Sequence, residues 1–250
     1  MSQESKLKPN SPFSGDNLAV MLRAVRMLGR RSSGRRLEAL QVGEDHPSEL
    51  AIVMARASTT DPEWLVRDWA ATSIATFGTS LDTFRVKQLL KDPSWVVRSS
   101  AVGAVDQVFG KKGEELLISM LQDRHPIVRR DAAKSLGDLG LTTSIAHLKN
   151  RLFVERHDQA RIGIWAGLFS LGEHEFIKQL LDLGENGGNR IIDAVWNSID
   201  ELADFGQLNP DEVEMVRRSM DLATISFESR LTVSAMSNLK TLFASIRSKL

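Results

Sequence analysis

The sequence of 250 residues contains no cysteine and no tyrosine. Without cysteine the chain has no disulfide, no thiolate zinc ligand and no cysteine nucleophile, so nothing in it requires an oxidising compartment. It also lacks any run of about 18 apolar residues. Its first seventeen residues contain no apolar stretch of the kind that forms the core of a signal peptide. We therefore expect a cytoplasmic protein.

An excess of charge of one sign is also missing, because 32 Lys and Arg residues balance 32 Asp and Glu residues. Domains that bind nucleic acid usually carry a strong basic excess, which displaces counterions from the phosphates. The composition therefore favours a protein partner over nucleic acid, although a local basic patch remains open.

The middle of the chain contains an internal repeat with a period of 31 residues. The segment Asp61–Arg67 recurs as Asp92–Arg98 and again as Asp123–Arg129. An alanine three residues after each arginine and a glycine further on extend the match: Ala70 and Gly78, Ala101 and Gly110, Ala132 and Gly140. A weaker fourth copy runs from Ala160 to Gly172, one residue later than the period requires.

Each repeat has the pattern of two helices. Apolar residues such as Val66, Ala70 and Ile74 recur at steps of three and four, which places them on one helix face. The aspartate that opens the repeat predicts a helix start, since its side chain accepts from free backbone N–H groups, and the glycine predicts the helix end. The stretches between these helices are helical in pattern too. Hairpins of this size bury their apolar faces by stacking, as in an α-solenoid.

The short Asp-Pro-x-x-Val-Arg unit, with its downstream alanine and glycine, resembles the HEAT-like repeats of the phycobilisome-lyase type. This resemblance implies an all-α fold, a right-handed α-solenoid of stacked two-helix hairpins with atypical helical caps at both ends. We expect a disordered N-terminal tail at 1–16 and a single solenoid domain at 17–250. Within that domain we expect a cap helix and basic loop at 17–46, repeats at 47–205 and a C-terminal helical cap at 206–250.

The resemblance also implies a role for the repeated aspartates and arginines. In HEAT-family repeats, the aspartate of the turn and the arginine six residues later commonly form a ladder of hydrogen bonds between adjacent repeats. The residues with this spacing are Asp61, Arg67, Asp92, Arg98, Asp123 and Arg129. A position that recurs in every repeat suits stacking better than a single anion site does, so we interpret these residues as structural.

The resemblance further implies that the second helix of each hairpin lines the concave side of the solenoid. Positions opposite the apolar stripe would then be exposed there, and their polar character and changing sign suit a protein epitope of mixed charge. The candidate partner-binding residues are Asp68, Thr72, Thr76, Ser99, Gln107, Arg130, Lys134 and Asp138. A scaffold that binds a partner protein without catalysis is the leading interpretation.

The strongest local charge feature lies before the repeats, where six arginines fall within fourteen positions without an acid among them. These candidate anion-binding residues are Arg23, Arg26, Arg30, Arg31, Arg35 and Arg36. The stretch from Glu173 to Glu214 is acidic, so we expect a monomer or weak self-association between opposite charges. An alternative interpretation is a nucleic-acid-binding protein of the glycosylase type that uses the basic residues.

No catalytic motif accompanies these features. The five histidines form no His-Glu-x-x-His pair, and no glycine-rich phosphate loop or Gly-x-Ser-x-Gly elbow is present. We therefore expect no catalytic residue, no metal site and no cofactor. The family resemblance leaves one further alternative, a lyase or chaperone-like subunit that acts on a chromoprotein.

Overall fold

A computed structural model describes residues 15–45, 49–189, 191–228 and 230–250, and within these ranges every regular element is a helix. The all-α fold class is thus confirmed. The tail expected at 1–16 lies outside the described residues except for Gly15 and Asp16, which open the first helix. The structure divides into two compact units, Met1–Gly110 (unit 1) and Lys111–Leu250 (unit 2).

Unit 1 contains three helical hairpins. Its helices are α1 (Gly15–Leu28), α2 (Ser33–Asp45), α3 (Glu49–Ser58), α4 (Trp64–Phe77), α5 (Thr83–Leu89) and α6 (Trp95–Phe109). The second helices of the hairpins, α2, α4 and α6, pack side by side in one row. Alanine and valine dominate the faces between them, with Ala70, Val97 and Ala101 fully buried. Small side chains at these positions let neighbouring helices approach closely.

Unit 2 continues the same plan with four hairpins. Its helices are α7 (Glu114–Met120), α8 (Pro126–Asp138), α9 (Ser144–Val154), α10 (Asp158–Ser170), α11 (Ile177–Asn186), α12 (Ile192–Asp204), α13 (Pro210–Glu228) and α14 (Val233–Lys249). The last hairpin, α13 and α14, stacks on α11 and α12. Larger side chains fill this core: Trp196 is fully buried, donates from Nε1 to the Gly184 carbonyl at 3.3 Å and meets the Phe243 ring edge-on.

The repeated aspartates lie two residues before the N-cap positions of the helices that we expected them to cap. They do not cap a helix directly, because α4, α6 and α8 begin at Trp64, Trp95 and Pro126 without a side-chain cap. Each carboxylate instead accepts from the backbone N–H two residues on, as from Glu63 to Asp61 at 2.9 Å. The aspartate thus fixes the turn that leads into the helix. The glycine stops are confirmed at Gly140 and Gly172, whose φ angles of 66° and 95° favour glycine.

The region expected to be a cap helix and a basic loop is in fact a complete hairpin. Helix α2 covers Gly34, Arg35 and Arg36, which we expected in the loop. This helix forms because Ala39 and Leu40 bury themselves against the unit 1 core. The N-terminal hairpin therefore follows the same plan as the repeats after it.

Helices α8 and α10 of unit 2 form a seam of glycines. A Cβ atom placed on Gly167 would lie 2.2 Å from the Ala133 carbonyl oxygen, and one on Gly163 would lie 2.3 Å from the Arg130 carbonyl oxygen. A Cβ on Gly137 would lie 2.7 Å from the Gly167 Cα. The two backbones are thus in direct contact, which places α10 in a recess between α8 and α12.

Candidate functional site

The repeat arginine Arg67 connects two successive turns of unit 1. Arg67 donates from Nη1 to the carbonyl oxygen of Asp61 at 2.7 Å, in its own turn. It also donates from Nε and Nη2 to both carboxylate oxygens of Asp92, at 2.6 and 2.9 Å, in the next turn. This bidentate pairing is the strongest form of the guanidinium–carboxylate contact. We call this arrangement the arginine ladder.

The ladder also includes Arg36 and Glu155, which sequence reasoning did not assign to it. Arg36 pairs with Asp61 at 2.6 and 2.9 Å, in the same geometry as Arg67 with Asp92. Arg129 donates to the carbonyl of Asp123 at 2.8 Å and pairs with Glu155 at 2.7 and 2.8 Å. Arg98 likewise donates to the carbonyl of Asp92 at 2.9 Å. Arg36 is therefore a buried structural residue rather than part of an exposed anion site.

Glu155 carries the most concentrated charge network of unit 2. Besides Arg129, Arg151 donates to it at 2.8 Å, and the backbone N–H groups of Arg156 and His157 donate to it at 3.0 Å. Burial alone raises the pKa of the Glu155 carboxyl, but the hydrogen bonds from Arg129, the His157 N–H and Arg151 outweigh it and lower that pKa from 4.5 to about 2. Glu155 thus takes the place that aspartate has in the other turns.

The lowered pKa of Glu155 predicts a pH dependence of stability. Since the folded-state pKa lies below the ordinary value of 4.5, ionised Glu155 stabilises the fold above that pH. The contribution is lost as the pH falls from 4.5 towards about 2. We expect the variant Glu155→Gln to lose less stability than the wild type across this window, as measured by urea unfolding at a series of pH values. Parallel profiles for the two proteins would contradict this role.

The candidate partner-binding residues of unit 1 all lie on α4 and α6, and most of their polar groups are already engaged. Asp68 accepts from the Ser100 hydroxyl at 2.5 Å, and Gln107 donates to the Gly78 carbonyl at 3.0 Å. Thr72 and Thr76 donate to carbonyls of their own helix. Ser99 is half-buried on α6. The hydrogen bonds of these side chains therefore run mainly within the fold of unit 1.

The candidate residues of unit 2 lie on α8. Arg130 donates to Asp131 at 2.8 Å and to Gln159 at 3.3 Å, so its guanidinium is engaged by neighbouring residues of unit 2. Lys134 and Asp138 differ from it, because both line a groove of about 340 Å³ between α8, α10 and α12. We call this the α8–α10–α12 groove.

The floor of the α8–α10–α12 groove is apolar and its rim is charged. Ala166, Gly167 and Leu202 are buried and form the floor. On the rim, Lys134 forms an ion pair with Glu201 across the groove. Phe205, at the end of α12, is 68% exposed and also lines the groove. An apolar recess with a charged rim suits an apolar anchor side chain of another molecule.

The other five arginines of the basic stretch lie together on unit 1. Arg23, Arg26, Arg30, Arg31 and Arg35 are exposed and line a groove of about 540 Å³ where α1 ends and α2 begins. The structure therefore brings together five of the six residues that the sequence grouped. We call them the arginine cluster.

Comparisons with known proteins agree with this architecture. Residues 83–168 match the family model described as HEAT repeats. The chain therefore contains HEAT-like repeats. Its fold is similar to that of the complex of CpcE and CpcF of phycocyanin lyase from Nostoc sp. PCC7120, with a TM-score of 0.62 and 12% sequence identity. That similarity covers 98% of this chain and 99% of the other chain.

An engineered protein is also similar, with a TM-score of 0.40 and 14% identity over 93% of this chain and 69% of that chain. No curated protein sequence matches the HEAT-like repeat protein.

The described part of the HEAT-like repeat protein contains no group of three or more His, Asp or Glu side chains arranged to hold a metal ion. None of the helices it describes is long and apolar enough to cross a membrane. Sequence reasoning named only Lys134 and Asp138 of the groove; the lining residues that it missed are Ala166, Gly167, Ser170, Ser198, Glu201, Leu202 and Phe205. Phe205 carried no signal of its own, because Phe77 and Phe109 also precede a glycine and both are half-buried.

Proposed function

We propose that the HEAT-like repeat protein is a scaffold that binds a partner protein through the α8–α10–α12 groove and catalyses no reaction itself. The observation that carries this proposal is the combination of a recess of about 340 Å³ with a 68% exposed phenylalanine at its edge. Aromatic side chains are enriched among the residues that dominate protein interfaces. An exposed one beside an apolar floor favours a protein partner.

The charges of the rim indicate the kind of partner. Lys134 and Glu201 are partly exposed and oppose each other across the recess, and Asp138 adds a carboxylate on the α8 side. A surface of mixed sign is unsuited to a uniform phosphate backbone, which requires positive charge along its length. It suits a helix or loop that inserts an apolar side chain and places opposite charges on either side of it.

The fold likeness supports the same proposal. The similar solved structure is a complex of two proteins, CpcE and CpcF, of phycocyanin lyase. A fold that binds another protein in that complex is suited to do so here. The identity of that enzyme does not transfer with the fold, because one fold supports many functions.

Photo-crosslinking tests the proposal directly. Benzoylphenylalanine placed at position 205 should capture a protein from nuclease-treated host lysate, since this side chain lies at the groove. The same label at position 153 is the control, because Phe153 is 91% exposed in unit 2 but does not line the groove. Capture from position 153 alone would place the interface elsewhere.

A pair of charge reversals sharpens the result. Lys134→Glu would place a third carboxylate beside Asp138 and Glu201 and remove the only cation among the described lining residues. Lys149→Glu, on α9, disrupts instead the exposed pair of Lys149 with Glu173. We expect capture at position 205 to fall at least about tenfold with Lys134→Glu, and to stay unchanged with Lys149→Glu. Equal loss with both variants would contradict binding at the groove.

A further inference from the structure

The arginine cluster is a basic surface of unit 1 that shares no residue with the α8–α10–α12 groove. Its five arginines share a groove of about 540 Å³ with Met27 and Ser32, and none of the described residues that line this groove is acidic. Arg35 forms an exposed pair with Glu38 at 2.9 Å, which contributes little in water. Within the described part of the chain, Arg23, Arg26, Arg30 and Arg31 have no acidic partner.

The backbone that carries the cluster is held in place by the arginine ladder. Arg36 donates from Nη1 to the carbonyl oxygens of Arg30 and Arg31, at 3.0 and 2.7 Å, while its other nitrogens pair with Asp61. These contacts fix the turn between α1 and α2 and draw its carbonyl groups inward. The backbone of Arg30 and Arg31 is therefore held in place before a ligand binds, which lowers the entropic cost of binding.

The other three arginines of the cluster extend from helices that are packed into the core of unit 1. Arg23 and Arg26 extend from α1, which is packed into the unit 1 core through Ala24 and Met27. Arg35 extends from the first turn of α2, a helix anchored by Leu40. Five guanidinium groups on a rigid hairpin thus face one shared groove.

The chemistry of the guanidinium group selects the ligand. Its planar fork binds a carboxylate or a phosphate through two parallel hydrogen bonds. A phosphate group carries up to two negative charges and three acceptor oxygens. A small ligand can therefore balance the positive charge of five arginines with fewer phosphate groups than carboxylates. Elsewhere in unit 1, Arg56 and Arg67 are paired with Asp82 and Asp92, so these two guanidinium groups are already neutralised within the fold.

We propose that the arginine cluster binds a compact ligand that carries two or more phosphate groups. A long nucleic acid would need a basic track that continues beyond one hairpin, whereas the cluster is restricted to the end of α1 and the start of α2. This site lies in unit 1 and shares no residue with the α8–α10–α12 groove, so binding there would be a function separate from the proposed binding of a partner protein.

Titration calorimetry of the full chain with inorganic tripolyphosphate tests this proposal. The double variant Arg26→Ala and Arg31→Ala should weaken binding at least about tenfold, because it removes two forks from the groove. The control is Arg217→Ala with Arg218→Ala, which removes the same charge from two exposed arginines of α13. That control should change the affinity less than about twofold. Equal weakening by both variants, or no saturable binding to the wild type, would overturn the proposal.

Two further arms identify the chemistry and its source. The variant Arg26→Lys with Arg31→Lys keeps the charge but loses the forks, so we expect weaker binding than wild type; equal binding would overturn recognition by guanidinium. Duplex DNA that binds through the same arginines more tightly than tripolyphosphate would also overturn the proposal. Capture of vesicles that contain phosphatidylinositol bisphosphate, reversed by tripolyphosphate, supports a lipid headgroup as the source. Tripolyphosphate binding without vesicle capture supports a soluble ligand.

Discussion

Replacing Glu155 by alanine is expected to cost about 3–5 kcal/mol of unfolding free energy, because Arg129 would be left buried without a carboxylate. Both guanidinium groups that now donate to Glu155, those of Arg129 and Arg151, would lose that charge partner. Urea unfolding followed by circular dichroism measures the loss. Natural domains are stable by about 5–15 kcal/mol, so this single change should bring the chain close to unfolding.

Two companion variants separate the buried pair from ordinary surface charge. Glu155→Asp restores the residue that the other turns carry, so we expect a smaller loss than with alanine. Glu173→Ala removes an exposed pair with Lys149 and should cost less than about 1 kcal/mol. If Glu155→Ala and Glu173→Ala gave the same small loss, the buried network would not stabilise the fold.

The second large effect is expected at the glycine seam. Gly167→Ala should destabilise the protein by about 1–3 kcal/mol, since the new Cβ would meet the Ala133 carbonyl oxygen and force α8 and α10 apart. Helix propensity acts in the opposite direction, because alanine is favoured over glycine inside a helix by about 0.5–1 kcal/mol. The steric cost therefore has to exceed that gain for a net loss to appear.

A matched control for the seam exists in unit 1. Gly103 lies within α6, and a Cβ on it would have open space around it. We expect Gly103→Ala to stabilise the protein by about 0.5–1 kcal/mol, the opposite sign to Gly167→Ala. Thermal or urea unfolding of both variants measures the contrast. Stabilisation by both alanines would show that α8 and α10 are free to separate.

Sequence reasoning identified the two-helix repeat well, because its signal is local and recurs. The resemblance to HEAT-like repeats implied a ladder that includes Asp61 and Arg67, yet Arg36 was assigned to an exposed basic stretch. The signal for its true place was present, since Arg36 lies one period of 31 residues before Arg67. Five neighbouring arginines obscured that register. Glu155 was missed because it is not an aspartate and lies one residue late in the repeat.

The α8–α10–α12 groove could not be predicted in the same way. Lys134 and Asp138 were found from the pattern of α8, but the groove also needs Glu201 and Phe205 from a helix far along the chain. Beside the groove, Gly163 and Gly167 pack against the α8 backbone, a role that their sequence pattern does not indicate. Glycine is needed at these positions because the backbones of α8 and α10 are in contact, and this contact exists only in the folded chain.

The arginine ladder has a consequence for how such a chain is shortened or lengthened. Each ladder arginine lies at the start of a second helix, and its acidic partner lies in the turn before the next second helix, as with Arg67 and Asp92. A chain cut after Val154 would keep Arg129 but lose Glu155, although every helix up to that point would be complete. A cut after His157 would keep the pair and both backbone N–H donors. The transferable module therefore runs from one turn to the next and is offset from the helical hairpin.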